Sequence, residues 1–291
     1  MRNEWLSVHL FHAGAHNKLL QLLIAPVVRQ VACPYFFIRY REGGPHIRLR
    51  LYVRHDQQAA VRQLLEAAAT AYFAAYPSFR QDSMYSSRGL QPNDSWQYIP
   101  YVPEISRYGN EDTMSLAEAQ FGLSSTYVLE VIQQMSVSNT LLHAIKINLA
   151  LLQALREPPL QTLDICRQFV LSWLPRLYDP QQDRQEQEAY YLQLLQERFL
   201  AYAPTLTQAA VNLWEELLHE NAPAALQIFA KGNHHIFNQY RQLGIRDGRL
   251  GAITRSFLHM GHNRLGVSNH DEAYIMYFTG KCLEHIYGIP G

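Results

Sequence analysis

Four arginines fall within twelve residues, at Arg39, Arg41, Arg48 and Arg50, with His46 among them. Guanidinium forks bind carboxylates in a bidentate manner and stabilise developing anions, so a cluster of them is a candidate anion site. Glu42-Gly43-Gly44-Pro45 lies between the two halves and reads as a hairpin turn. A turn centred on Gly43-Gly44 sets Arg41 opposite His46 and Arg39 opposite Arg48, with Arg50 facing Phe37. Side chains alternate along a strand, so this register gathers Arg39, Arg41, His46, Arg48 and Arg50 on one face. Phe36, Ile38, Tyr40, Ile47, Leu49 and Leu51 then form the apolar face. Like charges directly across a strand pair destabilise it, so the cluster calls for an anionic ligand.

A second set lies in Ser256-Phe257-Leu258-His259-Met260-Gly261-His262-Asn263-Arg264-Leu265-Gly266. On a helix, Arg255, His259, His262 and Asn263 share a face, because residues three and four apart are neighbours. Imidazole titrates near neutral pH, so this set suits proton transfer. The same spacing also describes a polar, solvated helix face with two ordinary histidines. A third set, Glu104-Ile105-Ser106-Arg107-Tyr108-Gly109, follows a strand pattern, where site residues are common. It reads equally as a surface arginine in a turn ended by glycine.

Other chemistries find no pattern. His9, His12 and His16, His234 with His235, and His259 with His262 lack the carboxylate or thiolate partners of a metal site, so no metal is expected. No Gly-x-Gly-x-x-Gly, Walker or Gly-x-Ser-x-Gly motif occurs, and no cofactor is expected. Cys33, Cys166 and Cys282 are odd in number and far apart, which implies no disulfide framework.

The elements that must carry these residues change character along the chain. Trp5 to Phe11 reads as a strand, and 16–32 as a helix that Pro26 must bend or break. The hairpin 35–41 and 46–53 follows, then an Ala- and Leu-rich helix over 56–76 with Asp56 at its N-cap. Gln97 to Pro103 reads as an edge strand, since Pro100 and Pro103 cannot donate to a central ladder. This β-α-β-β-α-β order predicts an α+β class with a ferredoxin-like sheet layer over 1–112. From 113 to 291 the pattern is helical: 115–135, 138–156, 160–174, 183–200, 207–219, 223–242, 249–264 and 270–287. Breaks are predicted at Pro158-Pro159, Asp179-Pro180, Pro204, Pro223 and Gly244. The two subregions are expected to make one domain spanning 1–291.

Composition limits the partners. Twenty-five basic and 25 acidic residues cancel in 291, so a general electrostatic grip on nucleic acid or membrane is not expected. The N-terminus carries no apolar signal core and no apolar run reaches spanning length, which predicts a soluble, cytoplasmic protein. An RNA-recognition module shares the strand order, but the exposed face expected here is arginine, not stacking aromatics.

Phe36-Phe37-Ile38-Arg39-Tyr40, Pro45-His46-Ile47-Arg48-Leu49-Arg50, Glu104-Ile105-Ser106-Arg107-Tyr108-Gly109 and His259-Met260-Gly261-His262-Asn263-Arg264 occur in one order. Together they resemble the C-terminal domain of nisin-type lantibiotic dehydratases, also called the thiopeptide-type bacteriocin biosynthesis domain. Trp5-Leu6-Ser7-Val8-His9-Leu10 fits its first strand, so the resemblance spans nearly the whole chain. The resemblance implies glutamate elimination from glutamylated Ser or Thr of a precursor peptide, leaving dehydroalanine or dehydrobutyrine. A separate glutamyl-tRNA-dependent protein would attach the glutamate, as in split dehydratases, and a homodimer is compatible with the family. A second branch joins two dehydroalanines by a formal [4+2] cycloaddition. A non-catalytic module binding peptide or RNA is a third alternative.

Carried over by motif, the resemblance implies that Arg48 and Arg107 act with His259 in catalysis. It implies substrate binding by Arg39, Arg50, Asn263 and Arg264. Glutamate brings its own carboxylates, which would account for clustered arginines on a neutral protein. Which of Arg39, Arg41 and Arg48 points into the site stays open at the level of sequence.

Overall fold

The computed structural model describes residues 2–81 and 89–289. It divides into two compact units, one of 1–104 with 117–135, the other of 105–116 with 136–291.

The first unit is built on a four-stranded antiparallel sheet, β1 (Asn3–Phe11), β2 (Tyr35–Tyr40), β3 (His46–Arg54) and β4 (Ser95–Tyr98), in the order β2-β3-β1-β4. Leu6, Val8 and Leu10 of β1, Phe37 of β2 and Ile47, Leu49, Leu51 and Val53 of β3 point to one face and are buried. Helices lie on that face: α1 (His16–Leu19), a π turn (Leu20–Ile24), α2 (Ala25–Val31) and α3 (Gln58–Ala75). Arg39 Nη2 donates to Asn17 Oδ1 at 2.6 Å, and the Tyr98 hydroxyl donates to the Arg62 carbonyl. The stretch 16–31 is continuous despite Pro26. The wide π turn precedes it, and Pro26 sits near the start of α2, where its missing N–H costs little. Asp56 is not a cap; it lies inside a short 3-10 turn (His55–Gln57) and pairs with exposed Arg54 at 3.3 Å.

The hairpin differs from the expected register. Tyr40 pairs with His46, Arg39 with Ile47, Ile38 with Arg48 and Phe36 with Arg50, across a connection spanning 41–45. A one-residue slip moves a strand's side chains to the opposite face. Arg39 therefore points to the helical layer, whereas Phe36, Ile38 and Tyr40 share a face with His46, Arg48 and Arg50. Two forces favour this register. Phe37 is buried beside Leu49, and Arg39 no longer opposes Arg48. The turn suits glycine, with Gly43 at φ 76° and Gly44 at φ 107°, and Gly44 N–H donates to the Arg41 carbonyl. The last strand ends at Tyr98, short of the expected Gln97 to Pro103, and is indeed at the sheet edge.

The helix α4 (Glu111–Val131) covers the free edge of β2 from its second half. Ser125 Oγ accepts from the Phe37 N–H, and Phe36 packs edge-on to Phe121.

The second unit is helical. Its central helix α5 (Val137–Leu155) is buried on nearly every side, as an all-round apolar sequence requires. The helices α6 (Pro159–Trp173), α7 (Arg184–Leu218), α8 (Ala224–Gln242), α9 (Asp247–Leu265) and α10 (Glu272–Tyr287) complete the bundle. The break expected at Pro204 does not occur, and 183–200 and 207–219 are one helix. Leu195, Phe199, Ala210, Leu213 and Leu217 stay buried along it, so packing outweighs the bond that proline removes. Among the described residues, no helix is long and apolar enough to cross a membrane.

Candidate functional site

In the first unit the candidate face is the one turned away from α1–α3. Pairing of β1 with β3 sets His9 beside Arg48, Ser7 beside Arg50 and Phe11 beside His46. His46 Nδ1 lies 2.7 Å from the Gly44 carbonyl, which can only accept, so Nδ1 carries a proton. Its Nε2 then accepts from Arg48 Nε at 3.1 Å. His46 is thus neutral and in a single tautomer. Its pKa is lowered to about 4, first by burial and then by Arg48 and Arg50, against the Gly44 hydrogen bond and Glu42. His9 stacks on His46 at 5.1 Å, and burial, with the charges of Arg48 and Arg50, brings it to about 3.

Arg48 is half-buried and lies 3.5 Å over the ring of Tyr40. Arg50 sits 5.3 Å from the Phe36 ring and 5.0 Å from Tyr101, only 6% exposed, and burial lowers its pKa to about 10. Its Nε and Nη1, and the buried Ser7 hydroxyl across the strand pair, have no hydrogen-bond partner among the described residues. A desolvated guanidinium with unused donors is unfavourable unless an anion meets it.

In the second unit a different set converges. The 3-10 turn Ile105–Arg107 is moored to α8 and α9: Tyr240 donates to the Tyr108 carbonyl, Arg249 to the Ser106 carbonyl, and Tyr108 stacks on Phe257. Arg107 Nε donates to Ser256 Oγ at 3.3 Å. Ser256 lies one turn before His259 on α9, so Arg107 and His259 attach to the same stretch of helix although far apart in sequence. His259 Nδ1 is 2.9 and 3.0 Å from the two oxygens of Glu272, and Trp173 lies against its ring. His262 is fully buried, 3.2 Å from Glu272 Oε2 and 3.0 Å from Asn148 Oδ1. Gly261 faces α5 closely, and a Cβ there would lie 2.8 Å from Ile147 Cδ1, so that side chain would have to shift.

The structure therefore groups His46, Arg48 and Arg50 on one face, and Arg107 and His259 at one helix segment. Arg39 lies on the opposite face of the sheet from Arg48 and Arg50. Asn263 is half-buried on α9, and Arg264 is fully buried with Nη1 donating to the Met260 carbonyl. The polar, solvated helix face that the spacing also allowed is not what forms, since His262 is buried. Ser7 and Ser256 were given no role in the sequence, and Glu272 and Asn148 escaped notice there. Ser7 could have been found only from the β1–β3 register, and Asn148 only as a polar residue within an otherwise apolar helix. Among the described residues, no group of three or more His, Cys, Asp or Glu side chains is placed to hold a metal.

The model of the family described as lantibiotic biosynthesis dehydratase C-term matches residues 5–283, and the chain belongs to that family. It is 27% identical over 130 residues to the nisin biosynthesis protein NisB of Lactococcus lactis subsp. lactis, a match covering 43% of this chain and 11% of that protein. The pyridine synthase TbtD from thiomuracin biosynthesis has the same fold, with a TM-score of 0.79 at 17% identity, covering 98% of this chain and 99% of TbtD. The tRNA-dependent lantibiotic dehydratase MibB from Microbispora sp. 107891 superposes with a TM-score of 0.68 at 16% identity, covering 98% of this chain and 28% of MibB. The chain thus spans only a fraction of NisB and of MibB.

Proposed function

We propose that this chain eliminates glutamate from glutamyl esters of Ser or Thr in a ribosomally made precursor peptide, leaving dehydroalanine or dehydrobutyrine. The observation that carries the reading is the gathering of His46, Arg48 and Arg50 on one sheet face, with buried Nε and Nη1 donors of Arg50 unused among the described residues. Arginine donors suit a carboxylate, and glutamate presents one as leaving group and another on its side chain. In this reading Arg48 and Arg50 take the glutamate carboxylates. His259 Nε2 removes the peptide Cα proton, Arg107 steadies the resulting enolate, and the Cβ–O bond breaks as the double bond forms. Asn263 and Arg264 support the helix segment that carries His259. Arg39, which holds α1 against the sheet, takes no part.

The reaction needs a glutamyl-tRNA-dependent activity to make the ester, which we assign to a glutamylation protein acting with this chain. Such a pathway operates in the cytoplasm, where ribosomal peptides and charged tRNA occur. We read the strand order of the first unit as ferredoxin-like and the whole chain as one functional domain. The likeness to TbtD supports a second reading, in which the chain closes a ring between two dehydroalanines. That reaction offers no glutamate carboxylate for Arg50.

A synthetic peptide bearing a glutamyl-serine ester separates the two. Incubation should release glutamate, and His259→Ala should retain the ester while still binding the peptide. An untouched ester, together with ring closure on a peptide bearing two dehydroalanines, would replace elimination with cyclisation.

A further inference from the structure

The protons in the second unit can be counted from the hydrogen-bond partners alone. The Thr279 hydroxyl donates to the Ile275 carbonyl at 2.9 Å, because a carbonyl only accepts. Its oxygen is then free to accept from Asn148 Nδ2 at 3.1 Å. That orients the amide with Oδ1 toward His262 Nε2, so Nε2 must carry a proton. His262 Nδ1 faces Glu272 Oε2. Burial would raise the Glu272 pKa, but hydrogen bonds from His259 and His262 outweigh it and hold the group below the usual carboxylate range. Both Glu272 oxygens already face His259 Nδ1 as acceptors, and with the carboxylate ionised His262 Nδ1 carries a proton as well. Four helices enclose the pair: α9 supplies His259 and His262, α10 Glu272, α5 Asn148, and α6 Phe169, whose ring meets His262 edge-on. Among the described residues, the titratable groups facing the Glu272 carboxylate are the two histidines.

We propose that Glu272 and His262 form a buried ion pair that holds His259 as its Nδ1-protonated tautomer, with Nε2 left to take the substrate proton. Glu272 is the positioning residue. It accepts from His259 Nδ1 with both oxygens and thereby dictates which ring nitrogen is basic. His262 is its counter-charge. The imidazolium balances the carboxylate, so Glu272 orients His259 without acting as an unbalanced anion beside it. Asn148 and Thr279 lock His262 in place from the far side. The use made of the His259 lone pair rests on the elimination reading above; the ion pair itself does not.

Nitrogen-15 spectra of histidine-labelled protein at neutral pH test the proposal directly. His259 should show the Nδ1–H neutral tautomer, and His262 should show two protonated nitrogens. A His259 in the Nε2–H tautomer, or a neutral His262, would overturn it. In Glu272→Gln the His259 tautomer preference should disappear, and His262 should lose its second proton. Wild-type spectra decide the proton count even if the variant fails to fold. On a glutamyl-ester peptide, Glu272→Gln should lower turnover by about 10²–10⁴-fold with KM little changed, by analogy with a wrongly oriented catalytic histidine. Wild-type protein that shows the expected spectra but releases no glutamate supports the ion pair and removes the elimination reading. Active protein with the contrary spectra removes the ion pair alone.

Discussion

Arg50→Met should stabilise this protein while removing its affinity for glutamate. The guanidinium is buried, and its Nε and Nη1 have no partner among the described residues. Leaving a buried donor unsatisfied costs roughly 1–3 kcal/mol, so two cost about 2–6 kcal/mol. Removing the cation forfeits its contacts with Phe36 and Tyr101, each worth about 0.5–2 kcal/mol. Methionine fills a similar volume, and its sulfur against the same rings returns about 0.3–1.5 kcal/mol. The central balance is a gain of about 1–3 kcal/mol, or a rise of about 2–5 °C in thermal midpoint for a chain of this size. The assay is thermal unfolding with and without excess glutamate. A ligand that binds only the native state raises the wild-type midpoint, while the variant should not respond. A variant less stable than wild type, or one that responds equally to glutamate, would refute the idea that Arg50 is kept for an anion at the expense of stability.

Two further outcomes follow from the same geometry. His9 and His46 have folded pKa values of about 3 and about 4, against 6.5 when unfolded. The unfolded chain therefore binds more protons in that interval, so stability is complete above the unfolded value and falls as pH drops through the window. Urea midpoints should decline from about pH 7 to about pH 5, and less steeply in His9→Phe; an equal slope would show that His9 is not buried neutral. Gly109→Ala should destabilise by roughly 1–3 kcal/mol in urea titration, because Gly109 adopts φ 120° and a Cβ would collide with Thr113 Oγ1. Unchanged stability would mean that the turn carrying Arg107 tolerates a side chain there.

The sequence alone determined much of this protein. Apolar periodicity placed α4, α5, α6, α8, α9 and α10 to within a few residues, since burial of one face writes itself into local spacing. The arginine cluster, the Glu104–Gly109 and His259–Arg264 motifs and the family were all legible without coordinates. Signals carried by a single residue were weaker. Pro204 does not break α7, because contacts from distant helices outweigh one lost hydrogen bond, and the hairpin lies one residue from its expected register. That slip decided which arginines share a face. The partners of the titratable groups also lay beyond sequence spacing. Glu272 is on the helix after His259, and Asn148 is on a helix more than a hundred residues earlier. Their meeting depends on α9 and α10 packing against α5, a matter of tertiary structure. Local spacing sets which side chains share an element, but a proton's position depends on the acceptor facing it, and only the tertiary structure supplies that acceptor.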